Sequence, residues 1–170
     1  MRTHELTPER VERYDRAWLR AALTWGLSLS RDPECKLGAV VVSPDGLRCS
    51  FGYNGFPVHV PDTPENWADK ELKNALVIHA EENALLNARF DTTDATVYCV
   101  RMPCHACLGR IANARADRVV WLRDDQMWKY LNVKAFDLTQ TSAALRCAEY
   151  DWGETEDNIQ RAFMTRVVRR

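Results

Sequence analysis

Residues 95–110, ATVYCVRMPCHACLGR, join a run of strand-forming residues to two cysteines at positions 104 and 107. Pro103 directly precedes Cys104, and proline is typical of the first positions of a helix. Residues three apart on a helix lie on the same face. The stretch therefore predicts a strand, followed by a helix whose first turn presents two thiols together.

His105 lies between these cysteines but is not predicted to share their site. It is one residue beyond Cys104, which on a helix of 3.6 residues per turn is a rotation of about 100°. Its side chain is expected to point away from the face that carries Cys104 and Cys107. A helix N-terminus favours the thiolate form of cysteine, which is the form that binds metal. The two cysteines are thus candidate metal ligands, and His105 is not.

The segments around this stretch predict alternating helices and strands. Thr7-Pro8-Glu9 is a helix start, and apolar residues at helical spacing continue to about Ser30. LGAVVVS and LRCSFGYN, joined by the turn Pro44-Asp45-Gly46, predict a hairpin. HAEENALLNA predicts a helix. DRVVWL predicts a strand parallel to ATVYCV, because a strand–helix–strand unit makes a parallel pair.

Two regions give weaker patterns. Residues 55–70 are rich in proline and have the composition of an ordered loop. Beyond Asp124 the chain shows helical patches and a basic end, so residues 124–170 are interpreted as a helical tail that holds Cys147. No repeat or linker interrupts the sequence, and residues 1–170 are interpreted as a single domain.

The composition is that of a soluble globular chain. Its 170 residues are 46% hydrophobic and 28% charged, with a formal net charge of −1. This charge balance creates no electrostatic field that would attract long polyanions such as DNA or tRNA. A small anion would have to be bound by a local pocket. Neither a signal peptide nor a membrane-spanning apolar run is found, which predicts a cytoplasmic protein. Because disulfides are rare in that compartment, the six cysteines are expected to be buried thiols or metal ligands.

Two thiolates do not complete a zinc site, which usually takes four ligands. No second C-x-x-C pair exists, and the other histidines are His4, His59 and His79. His4 lies near the start of the chain and His59 in the proline-rich loop, whereas His79 opens the helix HAEENALLNA. Glu81 follows two residues later. Since positions i and i+2 diverge inside a helix, His79 and Glu81 share one centre only at a coil-to-helix junction.

Together these residues form H-x-E…P-C-x-x-C, the signature of zinc deaminases that act on cytosine or adenine. Each half alone is weak evidence, because C-x-x-C also occurs in redox proteins and His-x-Glu on a helix is usually incidental. Three protein ligands leave the fourth zinc position to water, which marks a catalytic site. Zinc lowers the pKa of such a water to about 7. Glu81 is the candidate that takes its proton and passes it to the substrate.

Four longer motifs, CKLGAVVVSPDG, FGYNGFP, HAEENALLNA and MPCHACLGRI, resemble the deoxycytidylate (dCMP) deaminases of the cytidine deaminase superfamily. The resemblance covers about residues 30–122. It implies a three-layer α/β/α sandwich around a five-stranded mixed sheet. It also implies zinc-dependent hydrolysis of dCMP to dUMP and ammonia, which supplies dUMP for thymidylate synthesis. A homohexamer, regulated by dCTP with Mg²⁺ and by dTTP, is implied as well.

The resemblance assigns roles to matching positions. His79, Cys104 and Cys107 match the zinc ligands, and Glu81 matches the proton shuttle. Asn54 matches the asparagine that contacts the nucleotide, most often its sugar.

Further positions match contacts around the catalytic centre. The backbone of Ala80 is expected to meet the base carbonyl, and Lys36, with Arg31 behind it, is the candidate for the 5′-phosphate. A candidate allosteric loop comprises Gly52, Tyr53, Gly55 and His59.

The chain departs from the family at identifiable positions. Val58-His59 replaces the Arg-Gly that usually follows NGFP, which predicts a weak response to dCTP. A tyrosine common in the family is matched by Gln126, with Trp128 or Tyr130 as substitutes. With one histidine and no cysteine between Ser50 and Ile78, the second, structural zinc of some relatives is not expected.

Other functions stay open at this stage. The same site is compatible with free cytidine or deoxycytidine, dCTP, a 5-substituted dCMP, or adenosine in tRNA as substrate. Net charge and GYNGFP argue against tRNA. Two non-enzymatic alternatives are a structural zinc module and a nucleotide sensor without catalysis. The intact Glu81 argues against both.

Overall fold

A computed structural model describes residues 7–123, 134, 136–137 and 145–151. Five helices are named in chain order: α1 (Pro8–Leu29), α2 (Pro64–Ala68), α3 (Lys70–Leu76), α4 (Ala80–Asn87) and α5 (His105–Asn113). The strands are β1 (Gly38–Val42), β2 (Cys49–Tyr53), β3 (Thr96–Cys99), β4 (Arg118–Leu122) and β5 (Arg146–Tyr150).

The strands form one five-stranded sheet in the order β2-β1-β3-β4-β5. β1 is antiparallel to both β2 and β3, whereas β3, β4 and β5 are parallel. The predicted hairpin and the predicted parallel pair β3–β4 are therefore confirmed. Gly46, in the hairpin turn, has a φ of 71°, a conformation that glycine adopts without a steric cost.

Helices cover both faces of this sheet. α1 packs on one face with alternate strand residues; this cluster includes Leu19, Ala22, Leu23, Val40, Tyr98 and Val120. α4 and α5 pack on the other face; that cluster includes Ala80, Ala84, Leu108, Ile111, Val41, Val97 and Val119. Because both faces are covered, β1 is buried along its whole length. The predicted α/β/α sandwich around a five-stranded mixed sheet is confirmed.

Two glycines bring a helix close to the sheet. A Cβ on Gly38 would lie 1.9 Å from the carbonyl oxygen of Ala22 in α1. A Cβ on Gly52 would lie 2.2 Å from the carbonyl oxygen of Ala80 and 2.3 Å from the backbone nitrogen of Ala84. The predicted loop residue Gly52 thus lies buried beneath α4, where only glycine fits without moving the helix.

A buried carboxylate joins α1 to three strands. Asp15 is 1% exposed and accepts hydrogen bonds from the hydroxyls of Tyr98 (3.0 Å) and Tyr150 (2.8 Å). The guanidinium of Arg118 donates to the same carboxylate, at 2.7 Å from Nη1. Burial, together with the charge of Asp15, raises the pKa of Tyr98. Asp15 therefore links α1 to β3, β4 and β5 through three separate donors.

The structure differs from the sequence-based expectation in two segments. Residues 55–70 were predicted as a loop but include α2 and the start of α3. Thr63 and Asp69 cap these helices by accepting from Asn66 and Leu72, and these caps outweigh the high proline content. Cys147 is wrongly predicted to lie in a helix: it lies in β5, where pairing with β4 overrides the local pattern.

Several predicted features lie outside the described residues. His4, Gln126, Trp128 and Tyr130 are among them, as is most of the predicted tail. Within the described part of the tail, residues 134 and 136–137 are helical and Arg146–Tyr150 is a strand.

Candidate active site

His79, Cys104 and Cys107 come together at the ends of two helices. His79 is the N-cap residue of α4, Cys104 is the N-cap residue of α5, and Cys107 follows one turn later. The Nδ1 atom of His79 lies 3.5 Å from Sγ of Cys104 and 3.4 Å from Sγ of Cys107. The three ligand atoms all lie within 4.8 Å of one another. The structure thus assembles the predicted trio, and His105 is not part of it.

The donor set fits zinc in both chemistry and spacing. Zinc takes thiolate at about 2.3 Å and imidazole at about 2.0–2.1 Å in tetrahedral geometry, which places neighbouring sulfur and nitrogen ligands about 3.5 Å apart. The observed Sγ–Nδ1 distances of 3.5 and 3.4 Å match this spacing. A shared metal can therefore sit among the three atoms without a large rearrangement.

The coil-to-helix junction required by the sequence argument is present. His79 has an extended backbone (φ −72°, ψ 155°), and α4 begins at the next residue. The preceding residue, Ile78, is paired with Gly55 through two backbone hydrogen bonds of 3.1 and 2.9 Å. Gly55 therefore anchors the backbone just before His79 and fixes where the imidazole enters the site.

Hydrogen bonds within the trio shift the pKa values of its three side chains. Hydrogen bonds from Cys107 and His79 lower the pKa of Cys104 to about 3, so this thiol is held as thiolate. The same contact with Cys104, followed by burial, raises the pKa of Cys107. The hydrogen bond to Cys104 is also the main cause that raises the pKa of His79. A cation that binds among the three side chains would therefore displace the protons of the hydrogen bonds between them.

Glu81 lies in the first turn of α4, and its side chain is nearly inaccessible to solvent. The residue is 7% exposed, and burial raises the pKa of its carboxyl group above the usual value. A carboxyl group with a raised pKa is suited to accepting and releasing a proton near neutral pH. Its position beside His79 places this group at the trio without making it a fourth member.

A cavity of about 270 Å³ opens next to the trio. Of the predicted site residues, those that line it are Asn54, His79, Ala80, Glu81 and Cys104. Arg31 and Lys36, the predicted phosphate contacts, are not among the lining residues. The cations that do line the cavity, among the described residues, are Lys73 and Arg101.

Asn54 is held by three hydrogen bonds to the segment before β1. Its Oδ1 accepts from the backbone N–H of Leu37 (2.8 Å), and its Nδ2 donates to the carbonyl of Cys35 (2.8 Å) and to Asp32 (3.3 Å). Both amide protons are used, so a ligand can reach Asn54 only through the second lone pair of Oδ1. The side chain thus holds the segment before β1 in place and also lines the cavity.

Lys73 and Arg101 were missed by the sequence analysis. Nζ of Lys73 contacts Asp32 at 2.9 Å and Glu34 at 3.1 Å, which are 41 and 39 positions away in the sequence. Burial lowers the pKa of Lys73, but the hydrogen bonds to these carboxylates outweigh it, so the pKa is raised. No local pattern marks Lys73. Arg101 follows the carboxyl end of β3, a common ligand-binding position, and that placement was an available signal.

The candidate allosteric residues do not form one surface loop: Gly52 and Tyr53 lie in β2, Gly52 and Gly55 are buried, and His59 is exposed. The carbonyl of Tyr53 accepts from the amide of Asn83 at 2.8 Å, which ties the end of β2 to α4. Val58 is 83% exposed, and His59 is exposed with a φ of 74°. His59 stands where the resembling family has glycine, and it keeps a backbone conformation that favours glycine.

Residues 12–123 match the cytidine and deoxycytidylate deaminase zinc-binding region, and this span is more than half of the 170 residues. The chain therefore belongs to this family of zinc-binding deaminases. None of its described helices combines the length and apolar character needed to cross a membrane.

Individual relatives agree with this assignment. A "Probable deoxycytidylate deaminase" of Caenorhabditis elegans is 40% identical over 100 residues, which are 56% of this chain and 50% of that protein. The deoxycytidylate deaminase of Homo sapiens is 32% identical over 101 residues, 56% of this chain and 57% of the human protein. The chain thus spans about half the length of these curated relatives.

A solved structure shows the same fold. The apo form of dCMP deaminase from the cyanophage S-TIM5 superposes with a TM-score of 0.61, over 81% of this chain and 98% of that chain. The sequence identity is 21%, so this likeness is evidence for the fold.

Proposed function

We propose that this protein catalyses the zinc-dependent hydrolysis of dCMP to dUMP and ammonia. The observation that carries the proposal is the trio of His79, Cys104 and Cys107 beside the buried carboxyl group of Glu81, at the wall of a cavity. Three protein ligands are the number typical of catalytic zinc. Membership of the deaminase family and the likeness to deoxycytidylate deaminases support cytosine in dCMP as the reacting group.

In this proposal Nδ1 of His79 and the sulfurs of Cys104 and Cys107 hold the zinc ion. When bound, zinc lowers the pKa of a water molecule and so supplies the nucleophile for hydrolysis. Glu81 would accept a proton from the attacking water and donate it to the ring nitrogen of cytosine. The same carboxyl group would then pass the remaining proton of the added hydroxyl to the amino group, so that the carbon–nitrogen bond breaks, the carbonyl of dUMP forms and ammonia leaves. Its burial and raised pKa favour both directions of transfer.

Two further residues orient the nucleotide. Ala80 is the first residue of α4, and the first N–H groups of a helix have no partner inside the helix. Its backbone N–H is therefore available to the base carbonyl in the cavity. Asn54 accepts a hydrogen bond from a sugar hydroxyl on the second lone pair of Oδ1, while its other polar atoms hold the segment before β1.

The proposal also covers the protein's setting. The family resemblance supports a homo-oligomer, specifically a homohexamer, and regulation by dCTP with Mg²⁺ through the residues Gly52, Tyr53, Gly55 and His59. Val58-His59 stands where the family usually has Arg-Gly, and this substitution supports a weak allosteric response to dCTP. None of the six cysteines, all of which lie in the described residues, forms a disulfide, and this supports a reducing compartment such as the cytoplasm. A single deaminase domain is supported by the continuous sheet.

The direct test is ammonia release from dCMP, 5-methyl-dCMP, dCTP, CMP and deoxycytidine, measured side by side on the zinc-loaded protein. We expect dCMP to have the highest kcat/KM. Glu81→Gln is the matched control: it keeps the size of the side chain but cannot accept the proton, so kcat should fall about 10² to 10⁴-fold while zinc stays bound. Turnover of none of these substrates would contradict the proposal, as would retention of more than about a tenth of kcat by Glu81→Gln.

A further inference from the structure

Helix α3 borders the cavity without contributing to the hydrophobic core. Lys73 and Asn74 of α3, together with its C-cap residue Val77, line the cavity next to His79. All seven residues of α3 belong to the described part of the chain, and none of them is buried. A helix of this length is not stable in water by itself. The position of this wall therefore depends on the contacts that α3 makes with the rest of the fold.

Lys73 connects α3 to the segment between α1 and β1, which also lines the cavity. Its Nζ atom lies 2.9 Å from Oδ1 of Asp32 and 3.1 Å from Oε2 of Glu34. The Lys73 side chain is 18% exposed and the Asp32 side chain 2%, so dissolved ions screen their attraction only partly. The Glu34 side chain is exposed, and its pair with Lys73 contributes less. The pair of Lys73 and Asp32 is therefore the stronger of these two contacts.

Asp32 is a fixed anchor for this pair. Its Oδ1 accepts from the backbone N–H groups of Glu34 (2.9 Å) and Cys35 (3.1 Å), and its Oδ2 accepts from Nδ2 of Asn54 (3.3 Å). Because Asn54 lines the cavity as well, one buried carboxylate holds the Asn54 side and the α3 side of the cavity together. The ion pair of Asp32 and Lys73 therefore sets how closely these two sides approach.

The trio has a separate support. Ile78 stands between Val77 and His79 and forms two backbone hydrogen bonds with Gly55, of 3.1 and 2.9 Å. This pairing holds the backbone at His79 independently of the Lys73 side chain. Loosening α3 should therefore widen the cavity without displacing the metal ligands.

We propose that Lys73 is a positioning residue, which fastens α3 to Asp32 and so keeps the α3 wall in place around the bound nucleotide. This inference rests on the proposed function and adds a determinant of substrate affinity. It assigns Lys73 no contact with the substrate and no part in proton transfer. Without the ion pair a smaller fraction of the molecules has the complete cavity, so KM should rise while kcat stays unchanged.

Amide hydrogen exchange of the zinc-loaded protein without nucleotide measures the docking of α3 directly. We expect Lys73→Met to speed exchange in α3 at least about tenfold, the equivalent of one charge-assisted hydrogen bond, and to leave α1 unchanged. Glu34→Gln removes only the exposed half of the contact and should give a smaller change in the same direction. Lys70→Met, at an exposed lysine of α3 outside the cavity lining, is the matched control and should exchange like the wild type. Unchanged exchange in α3, or equally faster exchange in every helix, overturns the inference.

Calorimetry with dUMP and deoxyuridine measures the effect on the cavity without turnover. Lys73→Met should raise the Kd of both ligands by the same factor, at least about threefold, and Lys73→Arg, which keeps the charge, should restore most of the affinity. Zinc content and kcat for dCMP should stay within about twofold of the wild type, since the trio keeps its own support.

The remaining outcomes are equally decisive. Unchanged Kd values overturn the inference. A loss confined to dUMP overturns it as well, because Lys73 would then contact the phosphate, and so does a loss of zinc, because Lys73 would then support the trio. If the wild type deaminates none of the nucleotides but exchange in α3 and both Kd values change as expected, the proposed function fails and the role of Lys73 stands.

Discussion

His79 and Cys104 occupy helix N-cap positions without capping their helices. Neither side chain makes a capping hydrogen bond; the imidazole of His79 and the thiols of Cys104 and Cys107 are directed at one another instead. N-cap positions prefer Ser, Thr, Asp or Asn, and a good cap stabilises a protein by about 0.5–2 kcal/mol. The candidate zinc site therefore costs stability at two helix starts, which is recovered only when a ligand binds the trio.

This cost predicts opposite effects of one substitution. Cys104→Ser should abolish zinc binding, because the thiolate is lost, and raise the free energy of unfolding of the metal-free protein by about 0.5–1 kcal/mol, because serine can cap α5. Zinc content by atomic absorption and urea unfolding with a chelator measure the two effects. The control is His105→Ala, which should keep zinc content at the wild-type level, since His105 is outside the trio. Loss of zinc in that control would show that the helix-face argument is wrong.

His59 carries a local strain that a glycine would relieve. Its φ of 74° is costly for a residue with a Cβ, about 1–2 kcal/mol, while glycine gives back about 0.4–1 kcal/mol through the unfolded state. We expect His59→Gly to raise the free energy of unfolding by about 0.5–1 kcal/mol, measured by urea denaturation. Val58→Gly is the adjacent control; it should lower stability, because Val58 is not among the residues with positive φ. Equal effects of both substitutions would contradict this account.

The placement of α4 depends on its close contact with β2. A Cβ on Gly52 would meet backbone atoms of Ala80 and Ala84, which cannot move aside without shifting the helix. Gly52→Ala should therefore lower the free energy of unfolding by about 1–3 kcal/mol, the usual cost of overpacking, and weaken zinc binding through the displaced His79. Urea unfolding and competition with a zinc chelator measure these effects.

Gly109 provides the matched control on α5. A Cβ there meets no atom within 4 Å, and alanine is the better helix former. Gly109→Ala should leave zinc affinity unchanged and stabilise the protein by up to about 1 kcal/mol. If Gly52→Ala is as well tolerated as this control, the close contact of α4 with β2 does not position the site.

Elements with a strong local pattern were predictable from the sequence. The first helix, the hairpin and the β3–α5–β4 unit have apolar residues at regular spacing and clear turn or cap residues. β5 was not predictable, because RCAEY alternates weakly and becomes a strand only through pairing with β4. The site divides in the same way. The trio and Glu81 lie in short motifs, whereas Lys73 reaches the cavity through contacts with residues 41 and 39 positions away.

Across the molecule, Asp15 joins elements that lie far apart in the sequence. It accepts hydrogen bonds from residues 83, 103 and 135 positions further along the chain. Removing it leaves Arg118, whose side chain is 17% exposed, without its buried partner. Breaking a buried ion pair in this way typically costs about 3–5 kcal/mol.

We therefore expect Asp15→Ala to lower the free energy of unfolding by about 3–5 kcal/mol, measured by urea denaturation. Glu12→Ala is the control on the same helix. It removes the exposed pair with Arg16 and should cost less than about 1 kcal/mol. A loss for Asp15→Ala no larger than for Glu12→Ala would show that the buried carboxylate contributes little.

The same carboxylate has a consequence for biosynthesis. Tyr150, one of its three partners, is translated 135 residues after Asp15. At about 5–20 residues per second, this delay is roughly 7–27 seconds. During that time Asp15 can pair only with Tyr98 and Arg118, which precede Tyr150 in the chain, so its set of three donors stays incomplete. Among the described strands β5 thus leaves the ribosome last, and the third hydrogen bond to Asp15 in the first helix waits for it.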